Sequence, residues 1–218
     1  MVGFWARCIW RTCPSVVRRY SLQLRSLNMR VGVMGGTFDP IHIGHLIAAS
    51  EVHSALQLDK VLFMPAGEPW QKSGREVSEA QHRIAMTKLA IQGDDRFEAS
   101  DLEVNRSGPT YSIDTVRELK SLHPDFEIFW IVGADILTQI STWHEWEAFV
   151  EAVRIVAVNR PGIEIDSSLP FTFEIVSMPA VRISATDLRQ RYSQSVVNKY
   201  LVPEEVDAYI REQHLYGS

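Results

Sequence analysis

The chain has 218 residues, 45% of them hydrophobic and 22% charged, with a formal net charge of −5. That composition belongs to a globular protein and excludes wholesale disorder, and no apolar run approaches the roughly 18 residues of a membrane helix, so no membrane partner is expected. Residues 1–28 hold five arginines and no lysine or acid, which leaves −10 on residues 29–218, and such an acidic body is not built to bind nucleic acid by neutralising its phosphates.

Both cysteines, Cys8 and Cys13, lie before residue 29, so neither a disulfide scaffold nor a cysteine-ligated metal is expected in the body. The composition of residues 1–28 fits an organellar transit peptide. The plainer reading is an upstream extension, with the domain spanning residues 29–218 and starting at Met29, immediately before a strand-like run.

Short β-branched or aromatic runs alternate with helical periods along the body. Strands are predicted at Arg30–Met34, Lys60–Met64, Phe97–Val104, Glu127–Val132, Arg154–Val158 and Phe173–Ser177. Helices are predicted at Gly44–Leu56, Ser78–Gln92, Ser112–Leu122, Ala134–Ile140, Trp143–Ala152, Ser184–Tyr192 and Pro203–Glu212. Ser78 and Gln81 have the spacing of a capping box, and Pro203 with Glu204 and Glu205 suits a first helical turn. Gly67–Val77 and Pro161–Pro170 are the longest irregular stretches. The alternation implies one doubly wound, Rossmann-like α/β domain with a parallel central sheet, whose ligands bind in the loops after the strands.

The first such loop reads Gly35-Gly36-Thr37-Phe38-Asp39-Pro40-Ile41-His42-Ile43-Gly44-His45. It joins the first strand to the first helix, where main-chain N–H groups and the positive helix end can receive a phosphate. Gly35 and Gly36 would let the backbone approach phosphates closely, and Thr37 adds a hydroxyl. His42 and His45 are three apart, on one face of a helical turn. Two imidazoles there can stabilise charge moving between phosphates, in a site that only positions its reactants and needs no covalent nucleophile.

Other glycine-rich and histidine motifs fit less well. The spacing Gly32-x-x-Gly35-Gly36 is not the dinucleotide fingerprint, and the second strand ends in Met64-Pro65 without an acid for a ribose. No Gly-Lys-Ser/Thr follows, which excludes a Walker loop. The glutamate that would make the histidine pair a metalloprotease site is Ile43, with no third ligand evident. No protein-held metal is therefore expected.

The run G-G-T-F-D-P-x-H-x-G-H resembles the signature of the nucleotidyltransferase superfamily, and His42-Ile43-Gly44-His45 spells its HIGH form. The resemblance implies a fold of the HxGH nucleotidyltransferase type, with Gly35, Gly36, Thr37, Phe38, His42 and His45 around the ATP phosphates during adenylyl transfer. Class I aminoacyl-tRNA synthetases share the signature but need far longer chains. A second element, Ser184-Ala185-Thr186-Asp187-Leu188-Arg189, has the form of a capped helix start with an arginine one turn on. By resemblance Ser184, Thr186 and Arg189 hold phosphates, with Arg189 on the pyrophosphate side.

Gly108–Thr115, Val132–Asp135 with Trp143, and Val158–Gly162 follow in an order that resembles the bacterial nicotinate mononucleotide adenylyltransferases over essentially all of residues 29–218. The resemblance implies ATP and nicotinate mononucleotide as substrates, a role in NAD biosynthesis, Mg²⁺ carried on ATP, and a cytoplasmic enzyme that can be a homo-oligomer. Trp143 suits stacking on a pyridinium ring, against the alternative of core packing, to which Trp146 is assigned. Ser112 stands where the family usually has threonine, at a helix start able to receive a carboxylate. Gly133 and Asp135 fall on the ATP side, Asp135 either at the ribose or as a helix cap. Lys72 and Arg160 are assigned to substrate contacts, and His82 with Arg83 to surface or structural roles. A phosphopantetheine adenylyltransferase-like enzyme and a non-catalytic nucleotide-binding regulator are the alternatives.

Overall fold

The computed structural model describes residues 28–68, 77–159 and 168–218. Six strands, β1 (Met29–Gly36), β2 (Lys60–Pro65), β3 (Phe97–Ala99), β4 (Phe126–Gly133), β5 (Arg154–Asn159) and β6 (Phe173–Ser177), form one sheet. Its order is β3-β2-β1-β4-β5-β6, and every adjacent pair is parallel. The α-helices are α1 (Ile43–Leu56), α2 (Ala80–Ala90), α3 (Ser112–Leu122), α4 (Trp146–Ala152), α5 (Ala185–Ser193) and α6 (Glu204–Glu212).

Both faces of the sheet are covered, which is why its central strands read as continuous apolar runs. Successive residues still serve opposite sides. Val61 and Phe63 pack with Ala49 and Val52 of α1, Met86 of α2, Leu188 of α5 and Ile210 of α6. Leu62 and Met64 join Val31, Val33 and Trp130 under Val116 of α3 and Phe149 of α4. Each such buried large side chain contributes about 1.5–3 kcal/mol of hydrophobic stabilisation.

All six predicted strands form, but the third ends at Ala99 rather than Val104. Ser100 still donates to Phe63, after which Asn105 N–H closes a turn on Asp101 O and carries Glu103 inward. The segment Ala134–Thr142 is a 3-10 helix, longer than the Ala134–Ile140 helix expected. The helix expected from Trp143 begins at Trp146 instead, because Trp143 is extended and Glu145, at φ 47°, turns the chain as its N-cap. The Ser78–Gln81 capping box does not form. Glu79 is the N-cap of α2 and its side chain makes no capping bond, while the Ser78 carbonyl is taken by Arg83. Pro203 is the N-cap of α6 and leaves its first turn to Glu204, Glu205 and Asp207.

In this strand order β1 is flanked by β2, to which the chain crosses first, and by β4, to which it returns. Their carboxyl ends diverge at the switch point where such sheets bind ligands.

Candidate active site

A cavity of about 550 Å³ opens at that switch point. Gly35, Gly36, Thr37, His42 and His45 line its β1 side, Gly133, Ala134 and Asp135 its β4 side, and Thr110, Tyr111, Ser112 and Trp143 its far wall.

The histidine turn is shaped by α1. His42 is its N-cap, in extended backbone, and His45 stands at N3, where its Nδ1 accepts the His42 N–H at 3.2 Å. An Nδ1 that accepts fixes the neutral tautomer with its proton on Nε2, a donor suited to a phosphate oxygen. The two rings stack at 3.7 Å with 17° between their planes.

Phe38 does not bring its side chain to the cavity. It is buried, and its ring meets the His45 ring edge-on at 5.0 Å. The room left by Gly35 and Gly36 is partly taken by protein. A Cβ on Gly35 would stand 3.2 Å from Trp130, and one on Gly36 would stand 3.0 Å from Phe38. The two glycines thus let aromatic rings support the turn from behind, while their main chain still borders the cavity.

Arg83 ties this end down. It is 1% exposed, and its guanidinium donates to four carbonyls: Thr37 at 3.0 Å, Ala66 at 2.6 Å, Gly67 at 2.8 Å and Ser78 at 2.9 Å. Burial lowers its pKa and nearby Asp39 opposes that shift. Of the surface and structural roles expected for it, Arg83 has the structural one, but the set of partners is invisible in sequence because three of the carbonyls belong to the main chain of other loops. His82 is structural as well, with a ring nitrogen 2.9 Å from the Tyr209 hydroxyl.

The helix that starts at Ser184 meets the same turn through Arg189, 150 positions from Asp39 in sequence. Ser184 caps α5 by accepting the Asp187 N–H at 3.1 Å. Arg189 Nη1 donates to the Asp39 carbonyl at 2.6 Å and stands 3.8 Å from its carboxylate, while Nη2 reaches Thr186 Oγ1 at 3.4 Å. Ser184, Thr186 and Arg189 do not line the cavity itself; Arg189 meets the β1–α1 turn at Asp39.

Gly133 is the N-cap of the 3-10 helix, and Asp135 makes no capping bond. Its carboxylate is exposed and lies close over Gly133, where an added Cβ would meet it at 2.5 Å and turn it aside. Trp143 is half-buried and placed for either expected role. Its ring packs 5.3 Å from Phe149 and also borders the cavity. Trp146 packs on Phe171 at 6.4 Å. Ser112 is the first residue of α3. Lys72 and Arg160 lie outside the described residues.

Glu103 is the acidic cavity residue that the sequence reading passed over. It is 5% exposed and accepts the Thr115 hydroxyl proton at 2.6 Å. Arg106 reaches the same hydroxyl at 3.0 Å and pairs with Glu118. Burial pushes the Glu103 carboxyl up to about 7, against the opposing pull of the Thr115 hydrogen bond and of Arg106 and Arg83. Thr110 Oγ1 and Trp143 Nε1 are buried with no hydrogen-bond partner among the described residues.

A phosphate turn with stacked imidazoles, met by an arginine-bearing helix start at the sheet's switch point, defines the chain as a nucleotidyltransferase. The family model described as cytidylyltransferase-like matches residues 33–191. A probable nicotinate-nucleotide adenylyltransferase of Mycobacterium tuberculosis is 46% identical over 195 residues, covering 85% of this chain and 91% of that protein. One of Clavibacter michiganensis is 46% identical over 192 residues, covering 87% and 95%. Among solved structures, the Plasmodium falciparum nicotinic acid mononucleotide adenylyltransferase complexed with NaAD superposes with a TM-score of 0.74. It is 20% identical over 87% of this chain and 98% of its own, a likeness of fold. This chain belongs to the nicotinate-nucleotide adenylyltransferases.

Proposed function

We propose that this protein transfers the adenylyl group of ATP to the 5′-phosphate of nicotinate mononucleotide, giving nicotinate adenine dinucleotide and pyrophosphate, as a cytoplasmic step of NAD biosynthesis. The observation that carries this reading is the meeting of His42, His45 and Arg189 at one phosphate-binding turn. A phosphate oxygen of the mononucleotide attacks the α-phosphorus of ATP, and the bond from that phosphorus to the bridging oxygen breaks. Negative charge then gathers on the departing pyrophosphate.

The protein supplies position and charge. His45 presents Nε2–H to a phosphate oxygen, and His42 lies against it. Arg189 and the opening N–H groups of α5, capped by Ser184, receive the leaving group. Thr37, with the Gly35 and Gly36 main chain, holds the triphosphate, and Gly133 and Asp135 face the nucleoside. Trp143 stacks on the pyridinium ring, and the N-terminal turn of α3 at Ser112 receives its carboxylate. Lys72 and Arg160 complete the substrate contacts.

Among the described residues no group of three His, Cys, Asp or Glu could hold a metal ion. Magnesium fits as a passenger on the triphosphate oxygens and water, where it neutralises charge.

Pyrophosphate release with ATP and either nicotinate or nicotinamide mononucleotide tests the reading. The acid is expected to exceed the amide in kcat/KM by at least about tenfold, the equivalent of one well-placed charge-assisted hydrogen bond. His45→Ala is expected to lower kcat by about 10²–10³ with the fold retained by circular dichroism. Release with phosphopantetheine and neither mononucleotide, or a His45→Ala variant at normal rate, overturns it.

A further inference from the structure

Asp39 sits in the turn between β1 and α1, is 3% exposed, and is itself assigned to no substrate contact. Three polar groups converge on it. Arg189 Nη1 donates to its carbonyl at 2.6 Å and lies 3.8 Å from Oδ2. The Ser78 N–H reaches Oδ2 at 3.4 Å. The Tyr216 hydroxyl, from the 3-10 turn Leu215–Gly217 after α6, donates to Oδ1 at 2.7 Å.

Tyr216 holds this contact in an uncommon conformation. Its φ of 60° and ψ of 18° lie in the left-handed region, as does Phe38, the neighbour of Asp39, at φ 49°. For side chains of this bulk that region is strained, and such strain persists where the surroundings over-determine it, most often at functional sites. The ring of Tyr216 packs near Tyr192 at 5.9 Å, and a phenylalanine would make that contact equally well. The hydroxyl also comes within 4.0 Å of Met86 Sδ, but its short bond is the one to Asp39. Burial and the neighbouring carboxylate both raise the phenol's pKa, which keeps it a proton donor.

We propose that Tyr216, acting through Asp39, is a positioning residue for Arg189. A buried carboxylate shared between a phenol and an amide N–H offers the guanidinium only part of its charge. Arg189 is thus aimed by the Asp39 carbonyl and lightly held by the carboxylate, which leaves its remaining donors for phosphate oxygens. Without the phenol, Asp39 would draw Arg189 into a full ion pair and away from the substrate. This rests on the reading of Arg189 as a phosphate residue.

A double-mutant cycle of Tyr216→Phe and Arg189→Ala, read by pyrophosphate release, tests it. Tyr216→Phe is expected to lower kcat about tenfold, leave KM for the pyridine mononucleotide unchanged, and have no further effect once Arg189 is alanine. A Tyr216→Phe enzyme at wild-type rate, or two losses that multiply, overturns the proposal while leaving the proposed function standing. Arg189→Ala at full rate would remove the phosphate role of Arg189 itself, and the proposal with it. Should Tyr216→Phe fail to fold, Asp39→Asn replaces it in the same cycle, with the same non-additivity expected and the same additivity overturning.

Discussion

Under the proposed function, the phosphate and pyridine ends of the cavity are built on opposite plans. At the phosphate end the polar groups that shape the turn are satisfied by protein: Arg83 fills four carbonyls, His45 accepts from His42, and Asp39 is held by Tyr216, Ser78 and Arg189. At the pyridine end the wall is a 3-10 helix and an extended Trp143, with Thr110 Oγ1 and Trp143 Nε1 buried and unpartnered among the described residues. The triphosphate is common to many reactions and can be met by a finished mould. The second substrate sets specificity, and its end keeps polar atoms whose partners the ligand can supply.

That contrast can be broken most forcefully at Arg83. Arg83→Ala strands four carbonyls in the interior and is expected to cost about 3 kcal/mol or more in stability by urea unfolding, lowering kcat as the turn relaxes. A variant with unchanged stability would show that the mould does not depend on it.

Glu103 sharpens the contrast through pH. Its carboxyl titrates near 7 in the fold and at the ordinary 4.5 when unfolded, so the folded state holds the proton more tightly. Its contribution is full below the unfolded value and is lost as pH rises through 7. Glu103→Gln keeps the acceptor for Thr115 without the charge, so its stability relative to the parent is expected to improve by about 2 kcal/mol between roughly pH 5.5 and pH 8. A difference independent of pH would mean that the carboxyl is not held neutral.

The smallest effect belongs to Trp143. Trp143→Leu keeps an apolar contact with Phe149 and is expected to raise KM for the pyridine mononucleotide about fivefold to tenfold, near 1 kcal/mol, with KM for ATP unchanged. An equal rise in both would place the tryptophan in general packing.

The strands were legible because their burial on both faces leaves unbroken apolar runs, and the phosphate turn because glycine pairs and two histidines three apart have few other uses. Ser184 was legible as a cap for the same local reason. What escaped depends on distance in sequence. Residues 100–104 look like the rest of a strand until the turn at Asp101 carries Glu103 inward, and Trp143 looks like a helix start until Glu145 reverses the chain. Arg83 and Tyr216 resemble ordinary helix and tail residues. Their meaning lies in carbonyls and a carboxylate 5 to 177 positions away, most of them on other loops, which no local period encodes.

His45 is at once the proposed phosphate donor and a fastener, since the ring nitrogen opposite that donor latches the N-cap N–H of α1. An imidazolium has no lone pair to offer. Double protonation would therefore unlatch that N–H in the same event that changes the ring's charge, so an acid limb in a rate profile would record a loosening of architecture together with a change in chemistry.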